Sequence, residues 1–456
     1  MSGYDGLGHT NVAKRFRISS QSIIFVYTHI MDRRAFLKTS FLAGAALYLS
    51  DWEKAYAMGR RDLLAGHAWQ GWKEGQFQIH FIYTGVAESM FLIFPDGTTM
   101  LLDCGDFDAL ARGEKAVPLL PSADRHAGEW IARYVTRVNP AVTDVDYMFL
   151  THYHNDHAGS NRFYADKIIR DGKEYPLSGF SQAAQTLNFR KAIDRCWPDD
   201  DPSLKWADRD TVALMRDFYA YMRDHKGLEI EKFRLGAADQ VVQLHNPSKY
   251  PSFSVRNICA NGCIAYPDGR VKDLFEAKKN AGKQIKNENA MSLGMVFSYG
   301  NFSFYTAGDF SARFTDPDGT KRFIEDDIAE VCGRSNVAKI NHHGHNSMSR
   351  KLVAALRSQV YVSCVWDQLH NLPPCMELLS DRSIYPEDRI ICPTIMPAER
   401  RAKDGDAAWM KDVARDSYEG GHVVVNVEKG GKRYSVSYLS AQDESMTVRS
   451  VLHFKA

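Results

Sequence analysis

The chain has 456 residues, of which 44% are hydrophobic, 25% charged and 12% aromatic, a composition that supports a substantial core and excludes a disordered chain. Its formal net charge of +1 gives no overall basic field, so charge indicates neither nucleic acid nor a membrane surface as partner. Eight cysteines are scattered along it; the one close pair, Cys259 and Cys263, fits no structural zinc spacing, and buried free thiols are the expectation.

Near the N-terminus, Asp32-Arg33-Arg34-Ala35-Phe36-Leu37-Lys38 precedes a mildly apolar stretch over 41–49, and Ala55-Tyr56-Ala57 has the small-x-small pattern of a cleavage site. Paired arginines before a weak apolar region resemble a bacterial twin-arginine export signal. The expected organisation is an N-terminal extension and signal over 1–57, with residues 1–30 upstream of a start at Met31, and one mature domain over 58–456. The twin-arginine export machinery would be a partner and the periplasm the destination. The apolar run is too short to span a bilayer permanently.

Within the mature domain, Phe77, Ile79, Phe81 and Tyr83 alternate as a strand with one buried face. Residues 90–94 and 100–102, around the turn Pro95-Asp96-Gly97, predict a hairpin. Trp130, Tyr134 and Val138 form one stripe of a helix over 129–138. A short buried strand over 145–150 runs into a histidine cluster. Residues 180–235 read as a helical insertion beside the site, with Leu214, Phe218 and Tyr221 at helical spacing. The Gly-, Asn-, Lys- and Pro-rich stretch 246–288 reads as an irregular excursion. Strands are predicted again over 295–299, 302–306 and 337–340, a helix over 350–357 and a strand over 360–365. A hairpin over 423–427 and 434–439 closes the chain. Strands lead and trail with helices between them, which predicts an α+β class with two packed sheets and helices outside.

The chemistry concentrates in Thr151-His152-Tyr153-His154-Asn155-Asp156-His157. Imidazole nitrogen and carboxylate oxygen are zinc ligands, and four such groups in six residues cannot all face one ion. Alternation sends His152 and His154 one way and the tightening turn sends Asp156 and His157 another, a division that serves two metals. Asp309 ends a strand at Gly308-Asp309, where a carboxylate can bridge two ions. Lys339-Ile340-Asn341-His342-His343-Gly344 ends another strand with paired histidines; neighbours point apart, so one binds metal and the other faces substrate.

The order Asp103-Cys104-Gly105, HxHxDH, Gly308-Asp309 and His342-His343-Gly344 resembles the metallo-β-lactamase superfamily over nearly the whole mature chain. The last motif, with Ser347 and Ser349, resembles the branch of the ComEC competence protein and the phosphorylcholine esterases. The resemblance implies a four-layer αββα sandwich and a hydrolase holding two zinc ions, or other divalent metals, with a metal-bound hydroxide as nucleophile. It implies His152 and His154 on one metal, Asp156 and His157 on the other, Asp309 bridging, His343 completing the second, and Asp103 as a structural residue. Asp156 and His342 are the candidate catalytic residues, His342 toward the substrate. A phosphoric ester, phosphodiester or phosphorylcholine-like, is the favoured small-molecule substrate; a β-lactam or lactone hydrolase, or a redox or non-enzymatic metal-binding member, is the alternative. Two departures stand out. The first metal lacks an obvious third histidine, for which His245 and His225 are candidates, and Glu88 stands where the ComEC type carries an Asp.

Overall fold

The computed structural model describes residues 65–106, 117–159, 167–198 and 209–456, apart from positions 171, 284, 286, 311, 312 and 317. The export signal expected from sequence lies outside the described residues, all of which fall in the unit Gly59–Ala456. Phe77–Phe81 is buried at every position, although its sequence alternates. Phe77, Ile79 and Phe81 join one core, while on the opposite face His80 meets Tyr134 of the helix Ala127–Val138. A strand covered on both faces belongs to the middle of a layered fold.

Nine strands form the first sheet, in the spatial order Val448–Lys455, Arg433–Ser440, Gly421–Val427, Phe77–Phe81, Ser89–Ile93, Thr99–Cys104, Asp144–Phe149, Asn188–Asp194 and Glu229–Lys232. Eight form the second: Val271–Asp273, Cys263–Ala265, Phe253–Ala260, Gly294–Tyr299, Phe302–Thr306, Val337–Lys339, Val360–Ser363 and Ile390–Pro393. Both sheets change character partway across. The first is parallel from Thr99–Cys104 onward and the second from Phe302–Thr306 onward.

Three apolar clusters follow from this layering. One, with Phe77, Phe81, Phe297 and Phe304, fills the space between the sheets. A second packs the helices Arg350–Leu356 and Pro373–Ser380 on the second sheet through Leu352, Val353 and Met376. The third packs Ala127–Val138 and Arg209–Lys226 on the first sheet through Ile131, Val135, Met215 and Tyr219. The layers are therefore helix, sheet, sheet, helix, the αββα sandwich expected. Each fully buried Phe or Leu in these clusters contributes about 1.5–3 kcal/mol.

Two stretches differ from the sequence expectation. Residues 180–235 are not a helical insertion: Asn188–Asp194 and Glu229–Lys232 extend the first sheet in parallel, and Arg209–Lys226 is the crossover helix between them. A parallel connection needs a helix, so the apolar stripe of that helix is core packing. Residues 246–288 hold Phe253–Ala260, an interior strand of the second sheet, with Phe253, Val255, Ile258 and Cys259 buried. Cys259 and Cys263 flank its turn into Cys263–Ala265, and none of the eight cysteines forms a disulfide. Among the described residues no helix is long and apolar enough to cross a membrane.

Candidate metal centre

In a parallel sheet the C-terminal strand ends share one edge, and loops leaving that edge converge. Asp103 ends Thr99–Cys104, and the segment Thr151–His157 follows Asp144–Phe149. Asp309 follows Phe302–Thr306, and His342 and His343 follow Val337–Lys339. Every predicted motif thus leaves the same kind of edge, and the two sheets bring those edges together.

The backbone is strained where the motifs meet. Asp103, His342 and His343 have φ of 57°, 44° and 47°, in the left-handed region that costs non-glycine residues. A side chain at Gly105 would strike the Asp156 carbonyl oxygen at 1.7 Å, and one at Gly308, with φ of 52°, would press on Thr151 at 2.9 Å. The glycines of the Asp-Cys-Gly and Gly-Asp motifs therefore admit the histidine turn.

His157 and His343 face each other across two carboxylates. Asp309 Oδ2 lies 3.3 Å from His157 Nε2 and 3.2 Å from His343 Nε2. Asp156 Oδ2 lies 3.2 Å from His343 Nε2 and 3.8 Å from His157 Nε2. His157 Nε2 is buried and makes no hydrogen bond despite that proximity to Asp309. It is placed within charge range but misaligned for a shared proton, which suits a shared cation. Acids stand behind the far nitrogens: His157 Nδ1 is hydrogen-bonded to Asp103 Oδ2 at 2.7 Å, and His343 Nδ1 lies 3.2 Å from Glu88 Oε2 without hydrogen-bond alignment. Asp103 also accepts the backbone N–H and the hydroxyl of Thr151, each at 2.8 Å. Carboxylates behind imidazoles fix the tautomer that a metal ligand needs.

His152 Nε2 and His154 Nδ1 are 3.2 Å apart, and the His152 ring centroid is 4.2 Å from that of His157. His342 points elsewhere; its Nε2 accepts from Asn289 Nδ2 at 3.0 Å. Burial holds its pKa down, at about 4, so it is a neutral imidazole whose remaining proton sits on Nδ1. His345 and His370 stand beyond it, with ring centroids 5.1 Å from His342 and 5.0 Å from His343 respectively.

Neither candidate third histidine reaches this place. His245 Nε2 pairs with Asp146 at 3.2 Å, where Asp146 also accepts from Thr99 N. That is the opposite end of the same strands, roughly 15 Å away at about 3.3 Å per residue. His225 stacks on Tyr221 in the last turn of Arg209–Lys226, which leads into the same remote edge. From the stretch between the two motifs it is Glu288 and Asn289 that arrive. Glu288 accepts from Tyr153 N at 2.9 Å and is gripped at both oxygens by Arg195, at 2.9 and 2.8 Å.

Sequence reasoning also missed Lys339. It is fully buried, with its ammonium 2.8 Å from Glu88 Oε2, 3.3 Å from Asp309 Oδ1 and 2.6 Å from the Gly308 carbonyl. A lysine completing an apolar strand just before paired histidines is the signal that was available. Glu88, His157, Asp309 and His343 each offer a ligand atom within 4.8 Å of the others. The Lys339 ammonium lies against Glu88 and against Asp309 Oδ1, which turns Asp309 Oδ2 toward the histidines.

Electrostatics give the same reading. Burial opposes charge on Asp309, but His343, His157 and Lys339 outweigh it and hold the carboxyl well below its usual range. Burial likewise opposes a charged His343, but Asp309 and Asp156, with Glu88, raise its pKa to about 10. His152 goes the other way, held well below the usual value by burial and then by His157 and His154. Asp103, Asp156, Asp309 and Glu88 against Lys339 leave an excess of three acids, which protons on His157 and His343, both with raised pKa values, meet only in part. That charge is expensive in a buried place unless cations share it. The donor set, imidazoles and carboxylates with supporting acids, fits zinc or a similar divalent ion.

A family model described as the metallo-beta-lactamase superfamily matches residues 83–169, the stretch that carries Glu88, Asp103 and the Thr151–His157 turn. Over that stretch, about a fifth of its length, the chain is similar to the metallo-beta-lactamase superfamily. No curated protein matches it. Among solved structures it is similar to a CmlA beta-hydroxylase mutant at 10% identity and a TM-score of 0.35, covering 70% of this chain and 52% of that one, so it spans about half of CmlA's length. It is similar to zinc-bound PqqB from Methylobacterium extorquens at 11% identity and a TM-score of 0.33, covering 76% of this chain and 99% of that one. Human tRNase Z, short form, is similar at 12% identity and a TM-score of 0.29, with 63% and 92% covered.

Proposed function

We propose that the protein is an exported hydrolase that holds two divalent metal ions, zinc by preference, and cleaves a phosphoric ester. The observation that carries the metal reading is the buried excess of carboxylate charge facing His157 and His343, with His152 and His154 beside it. His152 and His154 with Asp309 would hold one ion, and Asp156, His157 and His343 with Asp309 the other. When bound, the metals supply a water activated at neutral pH and neutralise developing negative charge.

The chain's own residues then divide the remaining work. Asp103 and Glu88 hold His157 and His343 in ligand orientation, and Lys339 fixes which oxygen of Asp309 faces inward. His342, neutral and protonated on Nδ1, would act as a hydrogen-bond donor to substrate. A phosphoric ester is favoured because it presents anionic oxygens to such a donor, and because the His342-His343-Gly344 motif resembles that of the ComEC and phosphorylcholine esterase branch. Export is supported by Arg33-Arg34 and Ala55-Tyr56-Ala57; replacing both arginines by lysine should trap the precursor in the cytoplasm.

Metal analysis of the purified protein, followed by chromogenic phosphodiester, phosphorylcholine, lactone and β-lactam substrates, tests the reading. Two zinc equivalents and phosphodiester or phosphorylcholine turnover are expected. Turnover of only the lactone or the β-lactam would overturn the ester assignment, and two irons without hydrolysis would point to a redox member.

A further inference from the structure

A cavity of about 310 Å³ borders the loop that leads from Asp367 to His370, at the lower end of the range for small-molecule sites. Its walls carry Val117, Pro118, Ile395, Tyr418, Asp367 and Arg401. Asp367 Oδ1 is 2.9 Å from His370 Nδ1, and the His370 ring centroid is 5.0 Å from that of His343. One buried imidazole thus separates the cavity wall from a metal-ligand candidate.

The charged groups around the cavity are not equivalent. Arg400 also borders it, but its guanidinium is spent: it donates to Asp404 at 2.8 Å and to the carbonyls of Asp367, His370 and Asn371 at 2.9–3.1 Å. It clamps the loop that carries His370. Asp367 is spent as well, accepting the N–H groups of Leu369 and His370 beside the His370 ring. Glu399 borders the cavity as an exposed side chain. Arg401 differs. Its guanidinium lies 4.7 Å from the Tyr418 ring centroid, its Nε is buried without a hydrogen-bond partner, and among the described residues it has no ion pair. A guanidinium with no carboxylate opposite it, beside walls that are partly apolar, suits a carboxylate or phosphate on an apolar body.

We infer that this cavity binds the anion-bearing, apolar distal part of the substrate, with Arg401 as its specificity residue. The inference rests on the hydrolase reading for the word substrate, but the pocket itself is testable by binding. The probe is 4-(trifluoromethyl)benzoate, titrated into the zinc-loaded full chain and followed by fluorine NMR. Neutral 4-(trifluoromethyl)benzyl alcohol serves as control. Arg401→Gln should weaken benzoate binding by about tenfold or more, the loss expected for one charge-assisted hydrogen bond, and should leave the weaker binding of the alcohol unchanged. Asp309→Asn should leave benzoate binding in place, which separates the pocket from the metal centre. Benzoate that does not bind, binds equally to Arg401→Gln, or is lost with Asp309→Asn overturns the pocket. Where an ester of the panel is turned over, benzoate should compete with it. Non-competitive behaviour would overturn the assignment to substrate, and absence of any turnover would fault the hydrolase reading while the binding result stands.

Discussion

Four buried imidazoles in this protein respond to burial in opposite ways. His157 and His343 lie at the sheet edges among acids, and their pKa values are raised against the effect of burial. His80 and His422 lie on neighbouring strands of the first sheet, beneath Tyr134, and burial lowers both to about 3. His80 is satisfied by neutral partners: its Nε2–H donates to Gln78 Oε1 at 3.1 Å, and Nδ1 accepts from Tyr134 OH at 2.9 Å. His422 Nδ1 accepts the backbone N–H of Tyr83 at 3.1 Å. Burial alone therefore makes a histidine a neutral core residue. A buried histidine becomes a metal-ligand candidate when carboxylates converge on its inner nitrogen, as Asp156 and Asp309 do on those of His157 and His343.

The strongest way to break the contrast is to remove the shared carboxylate. Asp309→Ala takes away the carboxylate that lies within 3.3 Å of His157 Nε2 and 3.2 Å of His343 Nε2. Metal content should fall from two equivalents, and turnover should drop by at least about 10³, beyond the loss of a single oxyanion donor. Full metal content and rate in this variant would end the binuclear reading.

His342 and His343 sharpen it next, because neighbours in sequence have opposite surroundings. His342→Ala should keep both metals and lose about 10²–10⁴ in rate, the range for general acid help or a positioned donor. His343→Ala should shed roughly one metal equivalent. Metal loss in the first with retention in the second would exchange their roles.

Glu88 tests whether the acid behind the imidazole matters. Glu88→Gln keeps the shape but removes the charge facing His343 and Lys339. Zinc affinity, measured by competition with a chelator, should weaken by about 10–100-fold, and Glu88→Asp should recover part of it. Unchanged affinity would reduce Glu88 to a packing residue.

How much of this was legible in sequence depends on range. The HxHxDH, Gly-Asp and His-His-Gly motifs are local, and each follows a short apolar strand, so the centre and its sandwich frame could be read directly. Strand direction could not be read. His245 follows an apolar run as His152 does, but its run leads to the opposite edge of the sheet. Asn188–Asp194 was hidden because Arg190 and Lys191 break its apolar pattern and a long helix follows. Phe253–Ala260 was hidden by the Gly- and Lys-rich hairpin after it. The roles of Glu88, Lys339 and Asn289 need pairings across both sheets, which no local pattern specifies.

The smallest effect concerns the other pair of histidines. His80 and His422 have folded pKa values near 3 against about 6.5 for the free side chain. A depressed folded pKa means that their contribution is fully present above about pH 6.5 and is lost as pH falls toward 3, because the unfolded chain then binds protons the folded chain refuses. Each histidine adds at most about 1.4 kcal/mol of lost stability per pH unit in that window. His422→Gln keeps an acceptor for Tyr83 N but cannot titrate, and for the folded protein Arg449 and Arg137 already disfavour charge at that position. At pH 7 the variant should be less stable by about 1–3 kcal/mol from imperfect packing and hydrogen bonding, with zinc content unchanged. Between pH 6.5 and pH 5 its stability, from urea unfolding of the zinc-loaded protein, should fall less steeply than that of the native chain. An identical slope in both proteins would mean that His422 is not neutral in the folded core, and a loss of zinc would mean that the two pairs of histidines are not independent.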